Sequence, residues 1–139
     1  MTITGLGLLS DTFSFLSPQL NYCYFRFKAF LLLTFKNGRI VNYDAKTGKK
    51  EFADTLAAAT GDKDKIAEFA IGLNPEAQFI NDSLVDEKVL GTIHIAIGDN
   101  KGPAYGGKNS SSIHWDLIMT HPTVEIDGKT IMENGKLKV

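Results

Sequence analysis

Cysteine is almost missing from this chain: Cys23 stands alone among 139 residues. A single thiol excludes an internal disulfide and fits a reducing compartment, so a cytoplasmic location is expected. Long apolar runs are missing too. The longest, "AFLLLTF", falls far short of the ~20 residues that a membrane-spanning helix needs. It starts nearly thirty residues in and lacks a small-residue cleavage pattern, which argues against a secretory signal. Charge of one sign is also lacking: 15 basic against 16 acidic residues leave a net charge of −1. Nothing global therefore points to nucleic acid or to a membrane surface as partner. Internal repeats, heptad arrays and low-complexity tracts do not occur. What remains is the length and composition of one α+β domain, residues 1–139, with a modest core.

The regular elements begin after residue 30. Residues 11–30, "DTFSFLSPQLNYCYFRFKAF", are aromatic but keep neither a period of 2 nor one of 3.6. From "LLLTFKNGRIVNYDA" the pattern predicts a strand, a turn at Lys36-Asn37-Gly38 and a second strand, because Asn-Gly between alternating apolar runs is a strong hairpin signal. "KEFADTLAAA" has Phe52, Leu56 and Ala59 at helical spacing. "GDKDKIAEFAIG" predicts a second helix, with Asp62 as N-cap, Gly72 near its end, and a stripe of Ile66, Phe69, Ala70 and Leu73. "LGTIHIAIG" alternates Ile93, Ile95 and Ile97 against Thr92, His94 and Ala96. The tail, "TVEIDGKTIMENGKLKV", reads as three short strands joined at Asp127-Gly128 and Asn134-Gly135. A mostly antiparallel or mixed sheet with two helices on one face is expected. The Ile93 and Trp115 faces of neighbouring strands should pack on those helices.

The strand "SSSIHWDLIM" places His114 and Asp116 on one face and Ile113, Trp115 and Leu117 on the other, since side chains i and i+2 leave an extended chain together. Two readings stand side by side: the carboxylate orients the ring, or both groups hold a metal ion. His94 occupies a similar position between small neighbours, which leave room beside its ring. His121, before Pro122 in a polar turn, reads as solvated. The loop "DNKGPAYGGKNSS" lacks the order of a phosphate-binding loop and opens no helix. It either connects two strands or shapes a pocket beside the two histidines that flank it.

Four stretches in one order, "EFAIGLNPEA", "DEKVLGTIHIAIGDN", "GGKNSSSIHWDLIM" and "VEIDGK", make residues 31–139 resemble the thermophilic metallo-aminopeptidases of the aminopeptidase T type. The resemblance implies a dimeric exopeptidase with two divalent ions (zinc, cobalt or manganese) that acts on peptide substrates. It also implies that Glu68, in a helix motif, His94, His114 and Asp116 are metal ligands, with Asp116 bridging the ions. Glu87 matches an acidic position near the metals. The family's tyrosine a few residues after the first histidine has Lys101 at the expected spacing, and Tyr105 is its substitute. Glu87 and Tyr105 are therefore the candidate catalytic residues. The resemblance further implies an N-terminal domain and one more glutamate ligand upstream of "ITGLGLL", whereas this sequence starts at Met1 with "TITGLGLLS". The expectation is thus the C-terminal part of an aminopeptidase catalytic domain, truncated. Its function would be either metal-dependent release of N-terminal residues or, as a non-catalytic remnant, self-association through the aromatic segment 13–30.

Overall fold

In the computed structural model the described residues are 2–4, 12–16, 20–22 and 31–138. Cys23 and the aromatic side chains of residues 11–30 lie outside that description. Three short strands come first, β1 (Thr2–Thr4), β2 (Thr12–Leu16) and β3 (Leu20–Tyr22). The hairpin of β4 (Leu31–Lys36) and β5 (Arg39–Ala45) follows, then helix α1 (Lys49–Ala58). Next come β6 (Ile66–Ile71), the one-turn helix α2 (Ser83–Asp86), β7 (Thr92–Gly98) and β8 (His114–Thr120). β9 (Thr123–Ile126), β10 (Lys129–Glu133) and β11 (Lys136–Leu137) close the chain. None of the described helices is long and apolar enough to cross a membrane.

The hairpin forms where the sequence places it. Asn37 and Gly38 both take positive φ, 50° and 72°, the mirror-image turn whose twist matches that of its strands. The same chemistry turns the chain at Asp127-Gly128 and Asn134-Gly135.

Two sheets result. Seven strands run in the order β11-β10-β9-β1-β2-β4-β5, antiparallel except where β1 lies parallel to β9. Four strands run β3-β8-β7-β6, all antiparallel. The core joins the two sheets. Leu31, Leu33 and Phe35 of β4, Val124 of β9 and Met132 of β10 cluster with Ile93, Ile95 and Ile97 of β7 and with Trp115, Leu117 and Met119 of β8. Phe52 of α1 joins them: its ring stacks on Trp115 at 5.3 Å and meets Tyr43 edge-on at 5.1 Å. The Ile93 and Trp115 faces therefore pack on a second sheet and α1, not on a pair of helices. Each of these buried side chains is worth about 1.5–3 kcal/mol of apolar burial.

The second predicted helix is a strand, β6, and the reason is local. Ile66 pairs with Ile97, Glu68 with Ala96, Phe69 with Ile95 and Ile71 with Ile93. The register shifts between Ile66 and Glu68, so Ala67 is an extra residue in the ladder. Such a bulge changes the parity of the strand. Apolar residues then recur at 66, 69 and 71, a spacing that imitates a helical stripe. Asp62 caps no helix. Its carboxylate accepts from the Ser110 backbone N–H at 3.1 Å and pairs with Lys65 at 2.9 Å and Arg39 at 3.2 Å. Gly72 lies in a close crossing, where a Cβ would come within 2.2 Å of the Val89 carbonyl oxygen.

Candidate metal centre

The outer face of the four-stranded sheet collects the polar groups. Glu68 and Asp116 both lie opposite Ala96, one on each side of β7. Ala96 is fully buried and offers only a methyl group, so the two carboxylates can lean over it toward each other. His94 stands two residues along β7, on the same face, and is 2% exposed. His114 lies two residues before Asp116 on β8. The bulge at Ala67 is what turns Glu68 to this face. Its unpaired backbone is met from the loop after β7: Asn100 Nδ2 donates to the Ala67 carbonyl at 3.0 Å, and Asn109 Nδ2 to the Ile66 carbonyl at 2.8 Å. Asn100 Oδ1 also accepts from the Asn109 N–H at 2.9 Å. The Gly-rich loop is thus tied down at both ends over the edge strand.

The side chains converge. Glu68, His94 and Asp116 each bring one ligand atom within 4.8 Å of the others. His94 Nε2 lies 3.4 Å from Glu68 Oε1 and 3.9 Å from Glu87 Oε2. His114 Nε2 lies 3.6 Å from Glu68 Oε2 and 3.3 Å from Asp116 Oδ1. Glu68 therefore has one oxygen toward each histidine. These separations suit ligands around a shared ion, since bonds of ~2.0–2.1 Å in a tetrahedral shell set ligand atoms ~3.3–3.4 Å apart. Neither ring nitrogen of His94 has a hydrogen-bond partner among the described residues. An unsatisfied buried group of this kind ordinarily costs about 1–3 kcal/mol, and a bound ion would remove part of that cost.

His114 is prepared for a ligand's role. Its Nδ1 lies 2.6 Å from the Asp99 carbonyl oxygen, which can only accept, so Nδ1 carries a proton and Nε2 faces the carboxylates. Asp116 beside it, the Asp99 carbonyl and Glu68 push its pKa up to about 9 against the opposing effect of burial. Without a cation the ring is an imidazolium, and a divalent ion would displace the Nε2 proton.

Tyr105 stacks on His114 with ring centroids 4.6 Å apart, and its other side is open to solvent. Burial first, then Glu68, Asp116 and Glu87, raise its pKa, so the hydroxyl keeps its proton at neutral pH. Glu87 follows α2 directly and is buried. One of its oxygens holds the ammonium of Lys88 and the other faces His94. The hydrogen bond to Glu87 raises the pKa of Lys88, with Glu68 and Asp116 adding to it across the site. Next to it, Asp86 is fully buried and anchors the preceding loop by accepting from the Ile80 N–H at 2.8 Å.

All six side chains named from the sequence gather on this face, with Glu68 on a strand instead of a helix. Lys88, Asn100 and Asn109 were not among them. Only the position of the two asparagines, bracketing the Gly-rich loop, could have drawn attention to them. His121 is exposed in a turn, as expected.

The family profile described as "Thermophilic metalloprotease (M29)" matches residues 30–137, most of the chain. The chain belongs to this family of metalloproteases. No curated protein matches it significantly. Among solved structures it is similar to 2,5-dihydroxypyridine dioxygenase from Pseudomonas putida KT2440, with a TM-score of 0.65 and 20% identity. That likeness covers 91% of this chain and 39% of the dioxygenase, and it concerns the fold. A metalloprotease is a hydrolase that works through a divalent ion, and the face built by Glu68, His94 and Asp116 is one possible place for it.

Proposed function

We propose that this chain carries the metal centre of an aminopeptidase, which releases N-terminal residues from peptides. The convergence of Glu68, His94 and Asp116 carries the reading. Glu68, His94, His114 and Asp116 would hold the metal, with carboxylate oxygens and imidazole nitrogens that suit zinc, cobalt or manganese. When bound, such ions lower the pKa of water and polarise a peptide carbonyl. The protein's own groups do the rest. Asp99 fixes the orientation and tautomer of His114. Buried His94 and Ala96 form a floor closed to solvent. Tyr105 makes one wall, and its neutral hydroxyl can donate a hydrogen bond to a bound peptide. Glu87 serves the site from the α2 side, as a proton acceptor or a further carboxylate ligand.

The test is metal analysis of the purified chain together with leucine release from a leucyl-anilide in zinc, cobalt or manganese. Asp116→Ala should remove at least one metal equivalent, and unchanged metal content would refute its role as ligand. A second reading, a folded module that self-associates without catalysis, is favoured by one observation: Leu73, Ile80, Leu84 and Leu90 are all more than half exposed on the segment around α2. Bound metal without turnover, with a dimer's mass in solution, would support that reading. Dimerisation through the same apolar residues is compatible with both.

A further inference from the structure

Two stretches of chain leave the metal face side by side. Ala70 lies opposite His94, and the chain continues from it through Ile71, the end of β6, to Leu73 and Asn74. Glu87 faces His94 from the other stretch, and Lys88 follows it. The stretches are tied together: the Asn74 N–H donates to the Lys88 carbonyl at 2.9 Å, and the Leu90 N–H to the Asn74 carbonyl at 3.0 Å. Beside them opens a cavity of about 420 Å³, lined by Ile71, Leu73, Asn74 and Lys88. That volume falls within the ~300–1,000 Å³ usual for small-molecule sites.

The lining combines apolar walls with hydrogen-bond donors. Ile71 packs on the core, so its wall is fixed, while Leu73 is exposed. Buried Glu87 holds the ammonium of Lys88. That contact occupies one of the three N–H donors of a lysine, and the others are left for a ligand. Asn74 Oδ1 accepts from the Glu76 N–H at 2.9 Å, which settles the orientation of the amide and leaves Nδ2 as a donor. A carboxylate with an apolar side chain next to it matches this lining. The last residue of a peptide has both.

We infer that this cavity takes the C-terminal residue of a dipeptide, with its free carboxylate on Lys88 and its apolar side chain against Ile71 and Leu73. The inference rests on the aminopeptidase reading and adds a substrate class, dipeptides that end in an apolar residue. Reach supports it. One oxygen of Glu87 lies 3.9 Å from His94 Nε2, and the other oxygen of the same carboxylate holds Lys88. The cavity therefore adjoins the polar face on which that reading puts the scissile bond, and one residue of chain spans ~3.8 Å. Hydrolysis adds water across the amide, hydroxyl to the carbonyl carbon and proton to the leaving nitrogen. In a dipeptide the leaving amino acid is the residue in the cavity. A longer peptide brings a neutral carbonyl to the ammonium instead and forfeits the stronger, charge-assisted contact.

The experiment is calorimetric titration of the full chain with acetyl-leucine and with acetyl-leucinamide, beside hydrolysis of Leu-Leu and Leu-leucinamide in zinc, cobalt or manganese. Acetyl-leucine copies the last residue and its amide bond but has no free amine, so its binding is read without turnover. The wild type should bind the acid at least tenfold more tightly than the amide, and Leu-Leu should show the lower KM by a similar factor. Lys88→Met should erase both preferences, and Lys88→Arg should keep them. Leu73→Asp, at an exposed position, sets a carboxylate in the cavity and should weaken acetyl-leucine binding at least tenfold. If Lys88→Met fails to fold, Leu73→Asp decides alone. Acid and amide bound alike by the wild type, or an acid preference that a folded Lys88→Met retains, overturns the inference. Hydrolysis of Leu-leucinamide as fast as Leu-Leu then leaves the aminopeptidase reading standing. Hydrolysis of neither peptide overturns that reading, and the dipeptide as substrate with it.

Discussion

β7 is buried along both of its faces, whereas β5 leaves Arg39, Val41, Asn42 and Asp44 at the surface. The two strands belong to sheets that share one core, so their inner faces obey the same rule and their outer faces do not. On the seven-stranded sheet, β5 shows the ordinary outcome, mostly polar and charged groups in water with Val41 among them. On the four-stranded sheet the outer face buries Thr92, His94 and Thr120 and draws in Glu68, Glu87 and Asp116. Burying polar groups that are not fully hydrogen-bonded opposes folding. His94, whose ring nitrogens meet no hydrogen-bond partner among the described residues, is such a group, so this face is sustained by the shared core and is built for something besides stability.

The largest expected effect falls on that shared core. Trp115 is 3% exposed and stacked on Phe52. Trp115→Ala should destabilise the chain by roughly 3–5 kcal/mol, the usual range for emptying an aromatic core site, as read from urea unfolding. A loss below about 1 kcal/mol would mean that the two sheets do not depend on this residue for their contact.

Ala96 lies on the outer face of β7, opposite Glu68 on one side and Asp116 on the other. Ala96→Leu should cost about 1–3 kcal/mol for overpacking and abolish metal uptake, because the added carbons fill the space over which Glu68 and Asp116 lean. Dialysis against zinc followed by metal analysis decides it. A stable variant with full metal content would show that the ion does not lie between those carboxylates.

The same contrast explains what could be read in advance. The β4–β5 hairpin, β7, β8 and the tail were legible because their Asn-Gly and Asp-Gly turns and two-residue alternation are local signals. β6 was not legible, because its bulge is specified by partners far away in sequence: Asn100 and Asn109 reach back to the carbonyls of Ala67 and Ile66. The ligand residues were found through a linked set of motifs, not through periodicity. Lys88 gave no such signal, since a lysine after a glutamate is ordinary until the glutamate proves to be buried.

The asparagine tie is itself open to a test of intermediate size. Asn109→Ala removes one hydrogen bond to the bulged strand, worth about 1 kcal/mol. It should also loosen Glu68 and so weaken zinc binding, an effect that no exposed asparagine on β5 should share. Equal effects from Asn109→Ala and Asn42→Ala, on stability and on zinc affinity alike, would remove the bulge from the account of the site.

The smallest effect is expected where the two sheets meet outside the core. Asp62 links Arg39 of β5 to Lys65, at the entry to β6, and to the Ser110 N–H ahead of β8. The hydrogen bond from Lys65, then that from Ser110, lowers its pKa to about 2. A carboxylate with a depressed pKa adds stability above its unfolded value, near 3.8, and loses it as the pH falls through about 2. Asp62→Asn should therefore lower the urea midpoint slightly at pH 5–7, with the gap closing as the pH approaches about 2. The pair is open to solvent, so added salt should shrink the gap at neutral pH as well. A difference that stays constant from pH 7 to about 2, and that salt leaves alone, would show that hydrogen-bond geometry at Asp62 holds this corner and that its charge does not.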